Sequence, residues 1–600
     1  MSSVEYHYPV IGRKGTGGIF DRLPIQTLEK DHPYQFALFI LAFNAIQQRS
    51  DAPHVVKEPA ATFMEIASIH GKPLCDRLLQ VSRHTSSRSV DLKPFFSHGA
   101  VVFPTWHRSY VMLIEQSIEN VAEQLAHVNE ADTNPDENGV WIKAAKELRF
   151  PYWDWAGKDV PENGLPPVLY EEKVEIMATG GKKQIVDNPL SFFSYVGGIP
   201  ADFSDEKDDL TGQVAYFSKW RRTYRYAYST PDPEGTHIYL LQKMFKAGAK
   251  NLRLRVAHLF TFNDDENSAI AWDEFSNHTA ESKRDTDFVN RGSLEGVHDT
   301  VHLLLSHPDY AGFDPIFFLL HSNVDRLLAL WEWCYTEYWM GSGYEDDGGQ
   351  YPWTQVHGPP QPFRTEQGNY WTSSQARFLH EQSYPKYYSF PEFEGIKVDQ
   401  TAMTSQERAL ARKRMQAYYD FDPQIKVTQV ASHTWKHLPV PNKENTAVPN
   451  DHTVIPHYRT FIVHVKLLEH AYNHSYSFQL YHRGNAHSTQ LVGTVARPDH
   501  SPCKAIRDLT LAHIKGEFVG RLVDAAGLEL AVAEGGLQAT QVPRHCTTSR
   551  TVTPVEISLV SAAVAEHVED KDRPVYLCDW QHHGDIFNGG WLATHKDSVH

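Results

Sequence analysis

Cysteine is scarce in this chain, and the few cysteines form no recognisable pattern. Five of them are scattered over 600 residues, and no CxxC pair occurs. A small, odd and unevenly spaced set is not typical of a disulfide framework and favours a reducing compartment. A zinc site built from paired thiolates is therefore not expected.

Long apolar and long basic runs are lacking as well. The N-terminus, MSSVEYHYPVIGRKG, has no apolar core of a secretory signal, and the strongest apolar run, Phe36 to Phe43, is too short to cross a bilayer. The 57 basic and 74 acidic side chains give a formal charge of −17, and no basic stretch is long enough to follow a phosphate backbone. We expect a soluble cytoplasmic protein with neither a membrane nor a nucleic-acid partner.

The overall composition is that of a globular protein, and the sequence pattern changes along the chain after about residue 400. Hydrophobic residues make up 41% and charged residues 22%, and 600 residues favour one large domain plus a smaller one. The prediction is a large domain over 1–400, a helix and linker over 401–455, and a smaller β domain over 456–600. The helix is QERALARKRMQAYY and the linker LPVPNKENTAVPND, while YRTFIVHVKLL and SYSFQLY alternate like strands of a half-buried sheet.

The first 400 residues contain four strong helical patterns. One opens at Pro33 and runs to about Arg49, and a second begins near Arg108 and continues through YVMLIEQSIENVAEQL. A third surrounds LEGVHDTVH, and a fourth runs from about Asn323 through VDRLLALWEW. Between them lie loops rich in glycine, proline and aromatic residues.

Two stretches next to these helices hold histidines at spacings suited to a metal ion. The first contains His70, His98 and His107, and the second contains His298, His302 and His321. An HxxxH pair places two rings on one helix face, as in LEGVHDTVH. An isolated pair would be weak evidence in a chain with 34 histidines, but here each stretch also has a histidine after an aromatic run, FPTWH and FFLLH.

The donor atoms in these stretches indicate which metal fits. A nitrogen-only ligand set favours copper, although zinc also fits, and two metals facing each other could bind dioxygen between them. Asp325 lies four residues after His321, where a carboxylate can accept a hydrogen bond from a ligand imidazole. The alternative is that His70 and His98 bind no metal and are ordinary polar residues beside a hydrophobic core.

FPTWHRSY and FDPIFFLLHSNVDR resemble the two copper signatures of the tyrosinase, catechol oxidase and hemocyanin family. LRFPYWDWA and NPLSFF are similar to family segments between them, and the strand-rich C-terminal region resembles the covering domain of fungal tyrosinase proenzymes. The resemblance implies an α+β chain, whose mainly α-helical catalytic domain holds a dicopper site in a central four-helix bundle and precedes a smaller antiparallel β-sandwich. It also implies two copper ions with O2 as co-substrate, CuA on His70, His98 and His107, and CuB on His298, His302 and His321.

The same resemblance suggests roles for four further residues. Glu295 matches the glutamate that positions a water for deprotonating the phenol, and its plain alternative is a helix N-terminal carboxylate. Asp299 stands where efficient monophenol hydroxylases often have asparagine, so it puts hydroxylation in more doubt than diphenol oxidation. Phe317 matches the ring stacked over the CuB entrance, with Phe103 as its counterpart over CuA. Either ring could equally be a plain core aromatic.

Several positions depart from the family pattern. Phe96 occupies the site of a cysteine that is cross-linked to the second CuA histidine, so no thioether is expected. Leu320 replaces a histidine next to His321. In VGTVARP, which resembles the plug of the proenzymes, Ala496 stands in the place of the plugging aromatic, and Cys503 lacks the partner of a CxxC copper-delivery motif.

Three functions fit these observations. The first is a tyrosinase-type polyphenol oxidase that turns monophenols or o-diphenols into o-quinones for melanin-type pigment and stays latent until a protease displaces the C-terminal domain. The second is a catechol oxidase or o-aminophenol oxidase without monophenolase activity. The third is a hemocyanin-like oxygen carrier that blocks phenol access. Small phenols are the expected partners, and the oligomeric state is not predicted.

Overall fold

A computed structural model describes the larger part of the chain. The described residues are 8–13, 18–49, 56–70, 98–132, 139–201, 203–207, 214–225, 230–233, 235–236, 238–262, 268–277, 292–305, 308–340, 344–345, 352–353, 362–379, 386–402, 404–419, 448, 452–467, 476–483, 489–497, 503–509, 517–524, 539–541, 550–552, 555–568, 574–576 and 581–582. The predicted linker falls outside them apart from Val448, and so does Phe96.

Helices dominate the described residues up to 419. They are α1 (Ile25–Asp31), α2 (Pro33–Ile46), α3 (Phe63–Ala67), α4 (Phe103–Ala131), α5 (Val140–Glu147), α6 (Val160–Asn163), α7 (Ile238–His258), α8 (Ser268–Ser276), α9 (Leu294–Leu305), α10 (Ile316–Cys334) and α11 (Ser405–Tyr418). Among these residues, no helix combines the length and apolarity that crossing a membrane requires.

Short strands accompany these helices, and longer strands fill the C-terminal region. They are β1 (Phe20–Asp21), β2 (Lys173–Met177), β3 (Lys183–Asp187), β4 (Glu206–Lys207), β5 (Val214–Ala215), β6 (Tyr344–Glu345), β7 (Pro352–Trp353), β8 (Tyr388–Ser389), β9 (His452–Leu467), β10 (Tyr476–Arg483), β11 (Thr489–Arg497), β12 (Cys503–Leu509), β13 (Glu517–Asp524), β14 (Ala539–Gln541), β15 (Arg550–Val552), β16 (Val555–His567), β17 (Pro574–Tyr576) and β18 (Gln581–His582).

The four predicted helices are α2, α4, α9 and α10, but α4 and α10 begin earlier than expected. α4 starts at Phe103, with Pro104 suited to its first turn, and α10 starts at Ile316. His107 and His321 therefore lie inside their helices rather than at the starts. α4 packs against α2, α9 and α10, and α9 also packs against α7. All but one of the nineteen residues of α10 are buried, as a central core helix requires.

A buried network of ion pairs connects α4 and α10 with the segments that contain Arg22 and Tyr388. Asp325 on α10 accepts hydrogen bonds from Arg22 (2.7 Å), Arg108 (2.5 Å) and the hydroxyl of Tyr388 (2.5 Å). Arg22 also donates to Glu115 on α4 at 3.0 Å. Each of these side chains is at most 1% exposed, so the charges are stable here only because they are mutually paired.

The same network joins the two ends of the helical region. Arg22 directly follows β1, and Tyr388 is the first residue of β8. β1 and β8 pair in parallel, with Phe20 beside Tyr388 and Asp21 beside Ser389. The start of the helical region is therefore held against its end.

Beyond residue 450 the described residues all lie in strands, apart from Val568. β10 lies between β11 and β13 in one antiparallel sheet, and the order β12-β9-β16-β17 forms another, with β18 also paired to β16. The predicted strands YRTFIVHVKLL and SYSFQLY correspond to β9 and β10. β10 differs from the half-buried pattern, because Ser477 and Gln479 are buried along with Phe478 and Leu480.

Two contacts relate these regions to the helical core. β11 lies against α7 and α9, the latter being the helix of His298 and His302. α11 packs on α7 and α10, where Gln416 donates to the carbonyl of Phe260 at 2.7 Å. The domain limits at 400 and 455 stay predictions.

Candidate metal centre

The six predicted histidines come from three helices and two turns. α4 carries His107, α9 carries His298 and His302 one turn apart, and α10 carries His321. His70 follows α3, and His98 lies in the turn that precedes α4. Five of the six rings are at most 5% exposed, whereas His98 is half-buried.

The turn of His70 is fixed by close backbone contact. Its amide donates to the carbonyl of Ala67 at 3.2 Å. Gly312 approaches from the other side so closely that a Cβ there would lie 2.6 Å from the Ala67 carbonyl oxygen and 3.1 Å from that of His70. Only glycine fits at this approach, and it leaves His70 little room to move.

The ring nitrogens converge within each predicted triad. Nε2 of His70 lies 3.3 Å from Nε2 of His98, while Nε2 of His321 lies 2.8 Å from that of His298 and 3.5 Å from that of His302. Nitrogens of His70, His98 and His107 all fall within 4.8 Å of one another, and so do nitrogens of His107, His298 and His321. His107 therefore joins the two triads.

The hydrogen bonds at Nδ1 determine which nitrogen of each ring carries the proton. His107 and His321 reach the backbone carbonyls of Phe103 (2.9 Å) and Phe317 (2.7 Å), and a carbonyl can only accept. His298 places Nδ1 3.1 Å from a carboxylate oxygen of Asp299. In these three rings the proton is on Nδ1 and Nε2 offers a lone pair.

Lone pairs that face each other this closely call for a cation between them. Nε2 of His298 and Nε2 of His321 lie 2.8 Å apart with no proton to share. Two nitrogens that each lie about 2.0 Å from one metal ion are themselves about 2.8–3.5 Å apart. The three Nε2–Nε2 separations given above, 3.3 Å in the first triad and 2.8 and 3.5 Å in the second, fall in this range. Nε2 of His107 is buried and has no hydrogen-bond partner among the described residues. The residues present fit a pair of metal ions.

Electrostatics keep the imidazoles neutral, as metal ligands must be. Burial lowers the pKa of His302 to about 3, with a smaller contribution from the nearby His98. Burial is also the main cause that lowers the pKa of His70, His107, His298 and His321 well below the usual range, followed by repulsion from neighbouring imidazoles. At neutral pH these five rings bind no extra proton, so a metal need not displace one.

Two carboxylates of α9 lie beside the histidines. Asp299 contacts His298 as described, and Glu295, fully buried in the first turn of α9, accepts a hydrogen bond from the amide of Gly99 at 2.7 Å. One nitrogen of His98 and one oxygen each of Glu295 and Asp299 fall within 4.8 Å of one another. Both acidic residues therefore lie next to the histidines, and their roles stay predictions.

The two predicted phenylalanines pack against the histidines. The Phe317 ring centroid lies 4.7 Å from that of His70, 5.2 Å from His302 and 4.1 Å from His321, and the ring is 1% exposed. Phe103 is fully buried, 4.4 Å from His107. Both rings contact the histidines from within the core, and a role for Phe317 at an entrance stays a prediction.

One sequence-based expectation is wrong. Asp325 does not receive the His321 proton, because Nδ1 of His321 bonds the carbonyl one turn earlier on its own helix and Asp325 is engaged by Arg22, Arg108 and Tyr388. The carbonyls of Phe103 and Phe317 are acceptors that the sequence pattern did not predict. The signal was available, since both phenylalanines stand four residues before a histidine on a helix.

Comparison with known proteins agrees with this geometry. The profile described as the common central domain of tyrosinase matches residues 60–334. Polyphenol oxidase 2 of Agaricus bisporus is 30% identical over 395 residues, covering 64% of this chain and 63% of that protein, and the tyrosinase of Neurospora crassa is 27% identical over 429 residues, covering 67% and 56%. The chain thus aligns with less than two thirds of the length of these relatives.

The fold likeness is broader than the sequence likeness. A crystal structure of latent and active mushroom tyrosinase superposes with a TM-score of 0.70 at 20% identity, covering 98% of this chain and 99% of the other. At that identity the likeness shows the fold, a helical domain followed by a C-terminal domain. Residues 60–334 of this chain, which contain all six histidines, are therefore similar to the common central domain of tyrosinase, and the relatives found by sequence are fungal polyphenol oxidases and tyrosinases.

Proposed function

We propose that this chain is a tyrosinase-type polyphenol oxidase that uses two copper ions and O2 to oxidise phenols to o-quinones. His70, His98 and His107 would hold CuA, and His298, His302 and His321 would hold CuB. The observation that carries this proposal is the convergence of imidazole nitrogens in the two triads. Nε2 of His70 lies 3.3 Å from that of His98, and Nε2 of His321 lies 2.8 Å from that of His298 and 3.5 Å from that of His302. Copper, when bound, supplies the redox chemistry with O2.

The chain's own residues supply ligand orientation, dryness and proton handling. The carbonyls of Phe103 and Phe317 and the carboxylate of Asp299 hold three imidazoles with Nε2 turned inward. The buried rings of Phe103 and Phe317 exclude water from the sides of the histidines that they cover. A phenol with a pKa near 10 must lose its proton to bind as phenolate, and we assign that proton to Glu295, directly or through one oriented water.

Asp299 favours diphenols as the main substrates. Its carboxylate adds a negative charge to a site where an incoming phenolate is also negative, whereas an o-diphenol needs only to give up two electrons. We therefore keep a catechol oxidase or o-aminophenol oxidase as the second candidate function. An oxygen carrier is the outcome if copper binds and O2 is taken up reversibly but catechols are never oxidised.

Latency follows from the position of the C-terminal region. β11 contains Ala496, opposite Ser477 in the sheet, and lies against α7 and α9. We infer that the two C-terminal sheets form a β-sandwich that covers a four-helix bundle of α2, α4, α9 and α10. Cover would then come from the whole strand, since Ala496 is too small to plug a site alone.

The test is copper content and O2 consumption before and after limited proteolysis. We expect two copper ions per chain and catechol-dependent O2 uptake that rises on proteolysis. A chain that binds fewer than two coppers, or that binds two and never oxidises a catechol even after cleavage, would overturn the proposal. Tyramine as a second substrate separates the two candidate enzymes.

A further inference from the structure

The turn that carries His98 is the least enclosed part of the site. His98 is half-buried and is held by a turn rather than a helix. Gly99 has φ +66°, a left-handed conformation in which side chains other than glycine are strained. A ligand on such a turn keeps its position only if something fixes the turn.

Glu295 contacts the peptide group that controls this turn. The Gly99 amide that donates to its carboxylate at 2.7 Å belongs to the peptide bond joining His98 to Gly99. Holding that peptide plane sets the direction in which the His98 side chain leaves the backbone. A backbone hydrogen bond to a carboxylate is assisted by the charge, and this carboxylate is fully buried, so little water competes for it.

The bond also joins the two predicted copper sites. Glu295 stands on α9 three residues before His298, whereas Gly99 follows a histidine of the other triad. Because α9 is packed on α4 and α10, Glu295 is a rigid point of attachment for a turn that has no helix of its own.

We propose that Glu295 is a positioning residue for the CuA site: its carboxylate anchors the Gly99 amide and thereby places His98 for metal binding. The inference rests on the proposed copper function and adds to it a second task for Glu295, separate from taking a proton. The two tasks need different chemistry. Anchoring needs a hydrogen-bond acceptor at the right distance, and proton handling needs a carboxylate.

Three substitutions separate these tasks. Glu295→Gln keeps an acceptor oxygen at the same reach and removes the proton-accepting group. Glu295→Asp keeps a carboxylate but withdraws it by one methylene, so it no longer reaches Gly99 without movement. Glu295→Leu removes the acceptor altogether while preserving bulk in the buried position.

The decisive measurement is copper affinity of the metal-free full-length chain, titrated with Cu(I) against a chelator. We expect the wild type and Glu295→Gln to bind two copper ions alike. Glu295→Asp and Glu295→Leu should lose about 10- to 100-fold in affinity for one of the two ions, the usual effect of removing a group that orients a ligand. Circular dichroism and melting of the metal-free chains check that each variant is folded.

The outcomes divide cleanly. If folded Glu295→Asp or Glu295→Leu binds both coppers as tightly as the wild type, the anchoring role is overturned, and equal weakening in Glu295→Gln also overturns it. Glu295→Leu that fails to fold leaves the decision to Glu295→Asp. Failure of the proposed function looks different, because the wild type itself would then bind fewer than two copper ions or, with two bound, would never oxidise a catechol.

Discussion

The imidazole rings of His107 and His321 stack face to face, with centroids 4.4 Å apart and planes inclined by 11°. Each ring bonds the carbonyl of a phenylalanine one turn earlier on its helix. α4 and α10 thus present the same Phe-x-x-x-His unit from opposite sides of one centre. The stack joins the two predicted triads, so a change in one triad should be felt in the other.

Removing His302 should empty one copper site. We expect His302→Ala to bind one copper ion per chain and to lose catechol oxidation by more than about 100-fold. This loss exceeds the usual effect of removing a group that only orients a metal ligand. Atomic absorption and O2 uptake measure the two effects. His127→Ala, an exposed position on α4, is the matched control and should behave as wild type. Catechol turnover retained in His302→Ala would contradict the CuB assignment.

Acid should destabilise the metal-free chain through its buried neutral histidines. The pKa of His302 is lowered to about 3, so between about pH 6.5 and pH 3 the unfolded chain binds a proton that the folded chain does not. Stability contributed by this ring is therefore present above pH 6.5 and is lost as the pH falls toward 3. The loss is at most about 1.4 kcal/mol per pH unit.

Urea unfolding at pH 6.5 and 4.5 measures this effect. Metal-free His302→Ala should lose less stability over the interval than the metal-free wild type, whereas His127→Ala should match the wild type. Equal pH slopes for all three proteins would show that His302 is protonated equally in both states.

Asp299 should tune the substrate more than the metal. Asp299→Asn keeps an acceptor for Nδ1 of His298 and removes a negative charge, so copper content should stay at two while tyramine hydroxylation rises relative to catechol oxidation, by about tenfold. Asp299→Leu removes the acceptor and should weaken copper binding. Initial rates on the proteolysed enzyme give the ratio. An unchanged ratio in Asp299→Asn would assign substrate choice to other residues.

Asp325 should matter for stability rather than as a partner of the metal ligand. Asp325→Asn leaves the buried guanidinium groups of Arg22 and Arg108 poorly compensated, and breaking such a pair costs about 3–5 kcal/mol. Urea unfolding of the metal-free chain measures the loss. Glu175→Gln removes the partner of Lys183 in an exposed pair and should cost at most about 1 kcal/mol. A small effect at Asp325 would refute the importance of the network.

α11 should belong to the catalytic unit. Ala411, Met415 and Tyr419 are buried on the helical region, so a chain ending at Tyr419 should melt near the catalytic transition of the full-length protein. A chain ending at Ala402 exposes the surface that these side chains cover and should melt lower, as loss of buried apolar contacts requires. Equal melting temperatures would make α11 part of the linker instead.

The sequence predicted helices and histidines well because both leave periodic or local signals. In LEGVHDTVH, for example, the four-residue spacing of the two histidines on one helix is enough to predict that their rings share a face. The tie between Gly99 and Glu295 and the ion pair of Arg22 with Asp325 join residues far apart in the chain, and no local pattern reports such partners. The prediction for Asp325 was wrong for a related reason. Its spacing from His321 suits a hydrogen bond to the imidazole, but Nδ1 of His321 bonds the backbone carbonyl of Phe317 instead.

The parallel pairing of Phe20 with Tyr388 has a consequence for how the helical region comes apart. β1 and β8 are paired, and both adjoin the ion network around Arg22. If either strand detaches, the other therefore loses its backbone partner, so the two strands should unfold together. Truncating the chain after Ser389 keeps the β1–β8 pair, whereas truncating it before Tyr388 removes β8 and leaves both β1 and the backbone amide of Arg22 without their partners.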